Sequence, residues 1–215
     1  MSELVTQTAE VTACRGAQGR NCRFGLHVPE GFTAQVDSVL QASPWDAFLR
    51  NSLRGPLRRH HVFRVAVSGC PNGCARPHIA DMGFISVCTP GVHQDVCTGC
   101  GRCAAACPDD AIDMSSGVPA FDPLRCIDCG QCLLRCPEKA LSCRRQGLRV
   151  IAGGRLGRRP RLATPLPGVY DGASALEILR RSLDFYMLHY EAGLRFGTLV
   201  ESRRQEFEDY VCRTR

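Results

Sequence analysis

The chain has 215 residues, 44% of them hydrophobic, with 15 cysteines and a formal net charge of +6. That length suits one domain of ordinary size plus a small insert, and no run approaches the roughly 18 apolar residues that a membrane span needs. The opening MSELVTQTAEVTACRG carries no apolar h-region. The cysteines therefore read as metal ligands in a reducing compartment, with the cytoplasm as the expected location. Every basic residue except Lys139 is arginine, so no lysine outside the central block is available for chemistry.

In chain order, segment 32–53 carries Val36, Val39, Leu40, Trp45, Phe48 and Leu49, a spacing that predicts two short helices. The β-rich run Val62–Val67 predicts a strand, Gly83–Val87 a second and Leu148–Ala152 a third. Residues 153–169, rich in Gly, Pro and Arg, predict a loop with neither strand nor helix. A helix is predicted from Ser174 to about Glu191, with Ser174 and Glu177 as a capping box and Leu176, Leu179, Leu183 and Tyr190 on one face. A weaker helical stretch follows to Cys212. These flanks read as a mixed α/β domain.

The centre of the chain is an internal repeat. VCTGCGRCAAACPDDAI from Val96 matches RCIDCGQCLLRCPEKAL from Arg125 at an offset of 29. Each copy is a C-x2-C-x2-C-x3-C-P run. Three closely spaced thiolates wrap three corners of a cubane, and the fourth reaches the neighbouring cluster. The first [4Fe–4S] cluster would take Cys97, Cys100, Cys103 and Cys136, and the second Cys126, Cys129, Cys132 and Cys107. Pro108 and Pro137 fix the chain after each fourth ligand, and Gly99, Gly101 and Gly130 leave N–H groups free to face sulfide. The alternatives are structural zinc, or clusters kept for folding alone. The block resembles bacterial dicluster ferredoxins. Cys88 and Cys143 bracket it and read as reduced packing residues; Cys212 reads as a bystander, and none of the six histidines shows metal-pair spacing.

A second constellation lies outside the block: Cys14 and Cys22, then Cys70 and Cys74 in CPNGC, directly after the strand Val62–Val67. A C-x3-C step turning into a helix puts two sulfurs and several N–H groups on one side, which suits an anionic cluster. Spacing alone leaves a third [4Fe–4S] cluster, zinc and buried free thiols all open. The flanking residues narrow this. VSGCPNGCARPHIADMGFISV, GLRVIAGGRLGRRPRLA and DFYMLHYEAGLRFGTLVE resemble the second cysteine motif, the Gly/Arg segment and the C-terminal helix of the sulfite and nitrite reductase family. The likeness covers 12–88 and 147–201. With a ferredoxin block between the halves, the arrangement is similar to catalytic subunits of anaerobic sulfite reductases and to dissimilatory sulfite reductase subunits.

That resemblance implies an α+β fold: a truncated, half-type sulfite/nitrite reductase siroheme domain over 1–90 and 144–215, with an inserted bacterial 2[4Fe–4S] ferredoxin-like domain over 91–143. It implies that Cys14, Cys22, Cys70 and Cys74 hold a third [4Fe–4S] cluster, with Cys74 bridging to siroheme iron. Siroheme carries many carboxylates, and Arg144, Arg145, Arg149, Arg155, Arg158, Arg159 and Arg161, with Gly153, Gly154 and Gly157 among them, offer bidentate partners and close backbone approach. The alternatives for this segment are a solvated basic loop or a nucleic-acid patch; no aromatic residues are interleaved to stack on bases.

Three departures from the family stand out. Cys14 and Cys22 are separated by seven residues where the family has five. Of the family's paired lysines before the motif, one position is Arg64 and the other Val62. The family's additional N-terminal half has no counterpart in the 13 residues before Cys14, which implies a site completed by a partner subunit or a homo-oligomer. Arg64 and Arg15 are the candidate catalytic, anion-binding residues, with Arg20 and Arg23 as further replacements. The expected function is a siroheme-dependent oxidoreductase, or a subunit of one. It would take single electrons from an external donor protein through the ferredoxin clusters to reduce a small anion, sulfite or nitrite. The alternative is a non-catalytic iron–sulfur electron-transfer subunit without siroheme. No nucleic acid and no membrane span are expected.

Overall fold

The computed structural model describes residues 5–213. In chain order the elements are β1 (Ala9–Ala13), α1 (Phe32–Ala42), α2 (Trp45–Ser52), β2 (Phe63–Ser68), β3 (Met82–Val92), α3 (Arg102–Ala105), β4 (Ile112–Asp113), β5 (Ala120–Phe121), β6 (Leu141–Ala152), β7 (Thr164–Pro165), α4 (Gly172–Leu188), α5 (Phe196–Ser202) and α6 (Arg204–Val211). Five strands make one sheet in the order β1-β2-β3-β6-β7, and β4 pairs with β5 in a small hairpin. The first three strands of the large sheet run parallel; β6 and β7 join antiparallel.

Strand alternation sorts the side chains onto two faces. Phe63, Val65 and Val67, Met82 and Phe84, and Leu148, Val150 and Ala152 point into the main core with α1, α2 and α4–α6. Trp45 is the hub of that core: it is 1% exposed, stacks on Tyr186 at 4.9 Å, and donates its indole N–H to the Thr8 carbonyl at 3.0 Å. On the opposite face, Ala66 meets Ala75 and Ala80, and Ile85, Val87 and Ile151 meet Ala163. Loops rather than helices cover that face. This is the α+β arrangement expected, with the helices gathered on one side of the sheet.

Several elements differ from the sequence expectations. Strand β1 was not foreseen, because AEVTA is short and only half-buried at the sheet edge. β3 and β6 are far longer than the runs Gly83–Val87 and Leu148–Ala152; they pair from Met82↔Ala152 to Val92↔Leu141, with a bulge between Thr89 and Pro90. Helix α4 begins at Gly172, two residues early, because the Asp171 carboxylate accepts the Ser174 N–H at 2.7 Å and takes the capping role assigned to Ser174. It ends at Leu188, and the following stretch breaks at Arg203 into α5 and α6. The loop over 153–169 contains the two-residue strand β7, which borrows the edge of β6.

Parallel β2 and β3 need a crossover, and a helix usually supplies it. Here the segment 69–81 does so while carrying Cys70 and Cys74. Asp81 closes that crossover. Its carboxylate accepts the Arg64 N–H at 2.8 Å and its carbonyl accepts the Gly153 N–H at 2.9 Å. Burial pushes its carboxyl up to about 6, against the pull of the Arg64 amide, Arg64 and Arg195. A carboxyl raised in the folded state binds its proton more tightly there than in the unfolded chain. The fold therefore loses about 3 kcal/mol as pH rises from near 4 through about 6. Asp81→Asn should remove this slope, so that denaturation midpoints of variant and parent, followed anaerobically from pH 4.5 to 7.5, diverge most at the alkaline end; parallel curves would refute it.

Candidate metal centres

Cys14 directly follows β1 and Cys70 follows β2, so both leave the sheet at the carboxyl ends of adjacent parallel strands, where open sheets bind ligands. The Cys14 N–H still bonds the Val67 carbonyl at 3.0 Å, and Cys14 Sγ accepts the Gly69 N–H at 3.2 Å. Cys22 enters from the loop between β1 and α1. A Cβ on Gly16 would lie 3.6 Å from Cys22 Sγ, and one on Gly69 only 2.8 Å from the Gly16 carbonyl carbon. The missing side chain at Gly69 lets the Cys70 loop touch the loop that carries Cys14 and Cys22. Cys70 is buried, and its thiol is pushed up by that burial, with Cys22, Cys14 and Cys74 adding like-charge repulsion. Cys14, Cys22 and Cys74 thus lie near enough to Cys70 to press on its thiol, and Cys74 is the exposed member of the four.

The central block forms two further groups. One small cavity, about 20 Å³, is lined by Cys97, Cys100, Cys103 and Cys136. The other, also about 20 Å³, is lined by Cys107, Cys126, Cys129 and Cys132. The fourth cysteine of each run therefore sits with the first three of the other. The internal repeat extends to the backbone. Left-handed conformations recur 29 positions apart at Gly99 and Asp128, Gly101 and Gly130, and Asp110 and Lys139. Cys107 Sγ accepts the Ala111 N–H at 3.3 Å, and its counterpart Cys136 Sγ accepts the Ala140 N–H at 3.2 Å. Burial raises the Cys103 and Cys126 thiols and takes Cys132 up to about 12. Loading metal into these sites must therefore expel protons.

Among the described residues, no three His, Cys, Asp or Glu side chains converge closely enough to hold a single metal ion.

The cationic candidates separate by location. Arg15 is exposed in the turn after Cys14; Arg20 and Arg23 are exposed nearby, and Arg23 lies 5.2 Å above the Phe24 ring. Arg64 lies six residues before Cys70 on β2, about 20 Å along the strand. It lines a small cavity with His60, His61, Asp81, Arg155 and Arg195. Arg149 reaches from β6 to Asp128, at 2.6 Å, inside the second cysteine run. Arg155 and Arg161 pair with Glu201 on α5, at 3.5 and 2.6 Å. Arg158 and Arg159 are exposed at the loop tip. A Cβ on Gly154 would strike the His78 and Ala80 carbonyl oxygens at 2.5 Å, and one on Gly153 would meet Val200 at 3.1 Å. Their close approach is to the protein's own backbone and core. The same contacts, with the Ala163 N–H on the His78 carbonyl at 2.7 Å, seat the 154–163 loop on the turn after Cys74. His78 serves through that carbonyl; its ring is exposed.

Two features escaped the sequence reading. Asp81 was assigned no role, and nothing in its neighbours signals burial. Cys88 and Cys143, expected to be reduced packing residues, are joined as a disulfide across the β3–β6 hairpin, with Cα atoms 5.5 Å apart. Their bracketing of the block pointed to proximity; the bulge between Thr89 and Pro90 brings them to bonding distance.

The fold and these thiol groups define an iron–sulfur domain built on a mixed sheet. The chain belongs to the nitrite and sulphite reductase 4Fe-4S domain family, which it matches over residues 21–203. It is 50% identical over 54 residues, a quarter of this chain and 9% of the relative, to a coenzyme F420-dependent sulfite reductase of Methanocaldococcus jannaschii. It is 30% identical over 102 residues to a subunit of the anaerobic sulfite reductase of Salmonella typhimurium, covering 47% of this chain and 25% of that one. Among solved structures, dissimilatory sulfite reductase I aligns with 97% of this chain and 52% of its own, at a TM-score of 0.64 and 16% identity. NirA of Mycobacterium tuberculosis aligns with 92% and 26%, at 0.53 and 18%. The chain thus spans a quarter or less of these curated relatives. At such low identity the two solved structures speak for the fold alone.

Gly69→Ala tests whether the outer thiols form one unit. The added methyl would force the Cys14 and Cys70 loops apart. The variant should lose about four irons per chain, one cubane, while the central block keeps its own; full iron retention would refute the shared locus.

Proposed function

We propose that the chain is a siroheme-dependent oxidoreductase, or a subunit of one, with three [4Fe–4S] clusters. They would be held by Cys97, Cys100, Cys103 and Cys136; by Cys107, Cys126, Cys129 and Cys132; and by Cys14, Cys22, Cys70 and Cys74. The observation that carries this reading is the exit of Cys14 and Cys70 side by side at the carboxyl ends of β1 and β2, with the Gly69 N–H on Cys14 Sγ, in a family named for sulfite and nitrite reduction. The central block, residues 91–143, acts in this reading as a ferredoxin insert. Its clusters supply one-electron carriage, which suits a multi-electron reduction of sulfite or nitrite.

The residues around Cys74 fit siroheme in kind. Cys74 is the exposed thiol of its group, Arg76 and His78 are exposed beside it, and the seated loop presents Arg158 and Arg159. Ser68 Oγ, two residues before Cys70, is buried without a hydrogen-bond partner and offers a donor at the base of the site. Bound there, siroheme would supply an iron site for the anion's S or N atom. The chain's arginines would pair with its carboxylates, and Arg15, Arg20 or Arg23 would neutralise the incoming anion. A cavity of about 1310 Å³ runs along β1 and α1 to the Gly16–Gly19 turn between Cys14 and Cys22. It is lined by Glu10, Glu30, Asp37 and Asp46 and by no arginine, so it suits a carboxylate-rich group poorly.

The Cys74 face is open in the described residues. A partner subunit or a second copy would close it, and an external donor protein would deliver electrons. The non-catalytic reading, a relay without siroheme, draws on Arg149, Arg155 and Arg161, which are already committed to Asp128 and Glu201. Among the described residues no helix is long and apolar enough to cross a membrane.

Protein purified anaerobically from a siroheme-competent host separates the two. The reductase reading expects a Soret-type band, a long-wavelength band and roughly 13 irons per chain, whereas a relay gives a broad brown shoulder and roughly 8 or 12. Cys74→Ser should abolish the siroheme-coupled signal and spare the two central clusters. A parent protein with only the brown shoulder would end the siroheme reading.

A further inference from the structure

Cys88 and Cys143 belong to none of the three groups of thiols. They lie diagonally across the β3–β6 hairpin on either side of its bulge, Cys88 opposite Gln146 and Cys143 opposite Pro90, with Cα atoms 5.5 Å apart, inside the span a disulfide allows. Two aspects of their placement stand out. The pair brackets residues 89–142, which hold all eight cysteines of the repeated runs. Cys88 is also wedged against the second run. Its N–H donates to the Asp128 carbonyl at 2.8 Å, it bridges to Cys129, and a Cβ on Gly130 would lie 3.4 Å from its sulfur. Cys88 is 3% exposed, while Cys143 is partly open to solvent.

We propose that Cys88 and Cys143 form a reversible dithiol–disulfide site, reactive toward low-molecular-weight disulfides and thiols, whose state sets how firmly the Cys126–Cys132 loop is seated. The effect on the loop rests on reading Cys107, Cys126, Cys129 and Cys132 as one ligand set. Accessibility orders the exchange. The Cys143 thiolate attacks one sulfur of a small disulfide, forming a mixed disulfide and expelling one small thiolate. The Cys88 thiol then gives up its proton and attacks the Cys143 sulfur, closing the protein disulfide and expelling the second small thiolate, which takes up a proton. Two protein thiols and one small disulfide become one protein disulfide and two small thiols, so atoms and electrons balance without the clusters. Closed, the bond clamps the base of the block and holds Cys88 against Gly130. Open, that end of the loop depends on the Arg149–Asp128 ion pair and the Cys88–Asp128 backbone bond.

The test equilibrates anaerobic holoprotein in glutathione buffers of graded redox ratio and quenches with an alkylating agent. Mass spectrometry then quantifies the peptide linked through Cys88 and Cys143, and release of iron to a ferrous chelator is timed in the same samples. The linked fraction should rise and fall reversibly with the ratio. Iron equivalent to one cluster should leave roughly three- to tenfold faster from the dithiol form. Cys143→Ser, which leaves Cys88 in its packed seat, should release iron at the dithiol rate in every buffer. A linked fraction that ignores the buffer, or equal release rates in both states, would overturn the proposal. Starting iron content tests the ligand set separately, because the linked peptide is read whether or not the second cluster is present.

Discussion

A cubane of iron and sulfide is a compact charged body, and a protein holds it only where four thiolates and several N–H groups converge on one space. Most of the unusual features of this chain follow from that convergence. Parallel β1 and β2 bring Cys14 and Cys70 out side by side. Gly69 removes the side chain that would keep the two loops apart. The crossover to β3 carries Cys70 and Cys74 where a helix would ordinarily stand. In the central block a repeat whose left-handed residues recur 29 positions apart carries each fourth cysteine over to the other run's cavity.

The sheet supplies rigidity to these loops. Its helix-side core is dense with aromatic contacts around Trp45, Phe63, Tyr186 and Phe196. The other face is small-residue packing under the cysteine loops and the 154–163 loop. The long β3–β6 hairpin carries the central block at its far end, and Arg149 on that hairpin grips Asp128 in the second run. Outer sheet and central block are thus joined by backbone pairing, one half-buried ion pair and the Cys88–Cys143 bond. Removing one partner of such an ion pair costs more than the pair itself contributes, because the other charge is left stranded.

The cysteine runs stand out in the sequence because local spacing carries them: both C-x2-C-x2-C-x3-C-P runs, and CPNGC after a β-rich run. The α1 and α2 helices showed in the spacing of Val36, Leu40, Trp45 and Leu49. What escaped was non-local. The half-buried edge strand Ala9–Ala13 has too few apolar residues to announce itself, and its place follows only from pairing with Phe63–Val67. Likewise, Asp171 caps α4 because of where the chain arrives, while the Ser174 and Glu177 pattern lies inside the helix. The roles read for the arginines and glycines of 149–161 rested on composition. Contacts with Asp128, Glu201 and the His78–Asp81 turn engage most of them in ways that composition does not encode.

The grouping of twelve sulfurs into three sets has a direct physical readout. Diffraction from anaerobic crystals at the iron absorption edge should give three compact anomalous peaks. One should be ringed by Cys97, Cys100, Cys103 and Cys136, a second by Cys107, Cys126, Cys129 and Cys132, and a third by Cys14, Cys22, Cys70 and Cys74. Iron bound within a single run, or no iron between the loops that follow β1 and β2, would contradict the account.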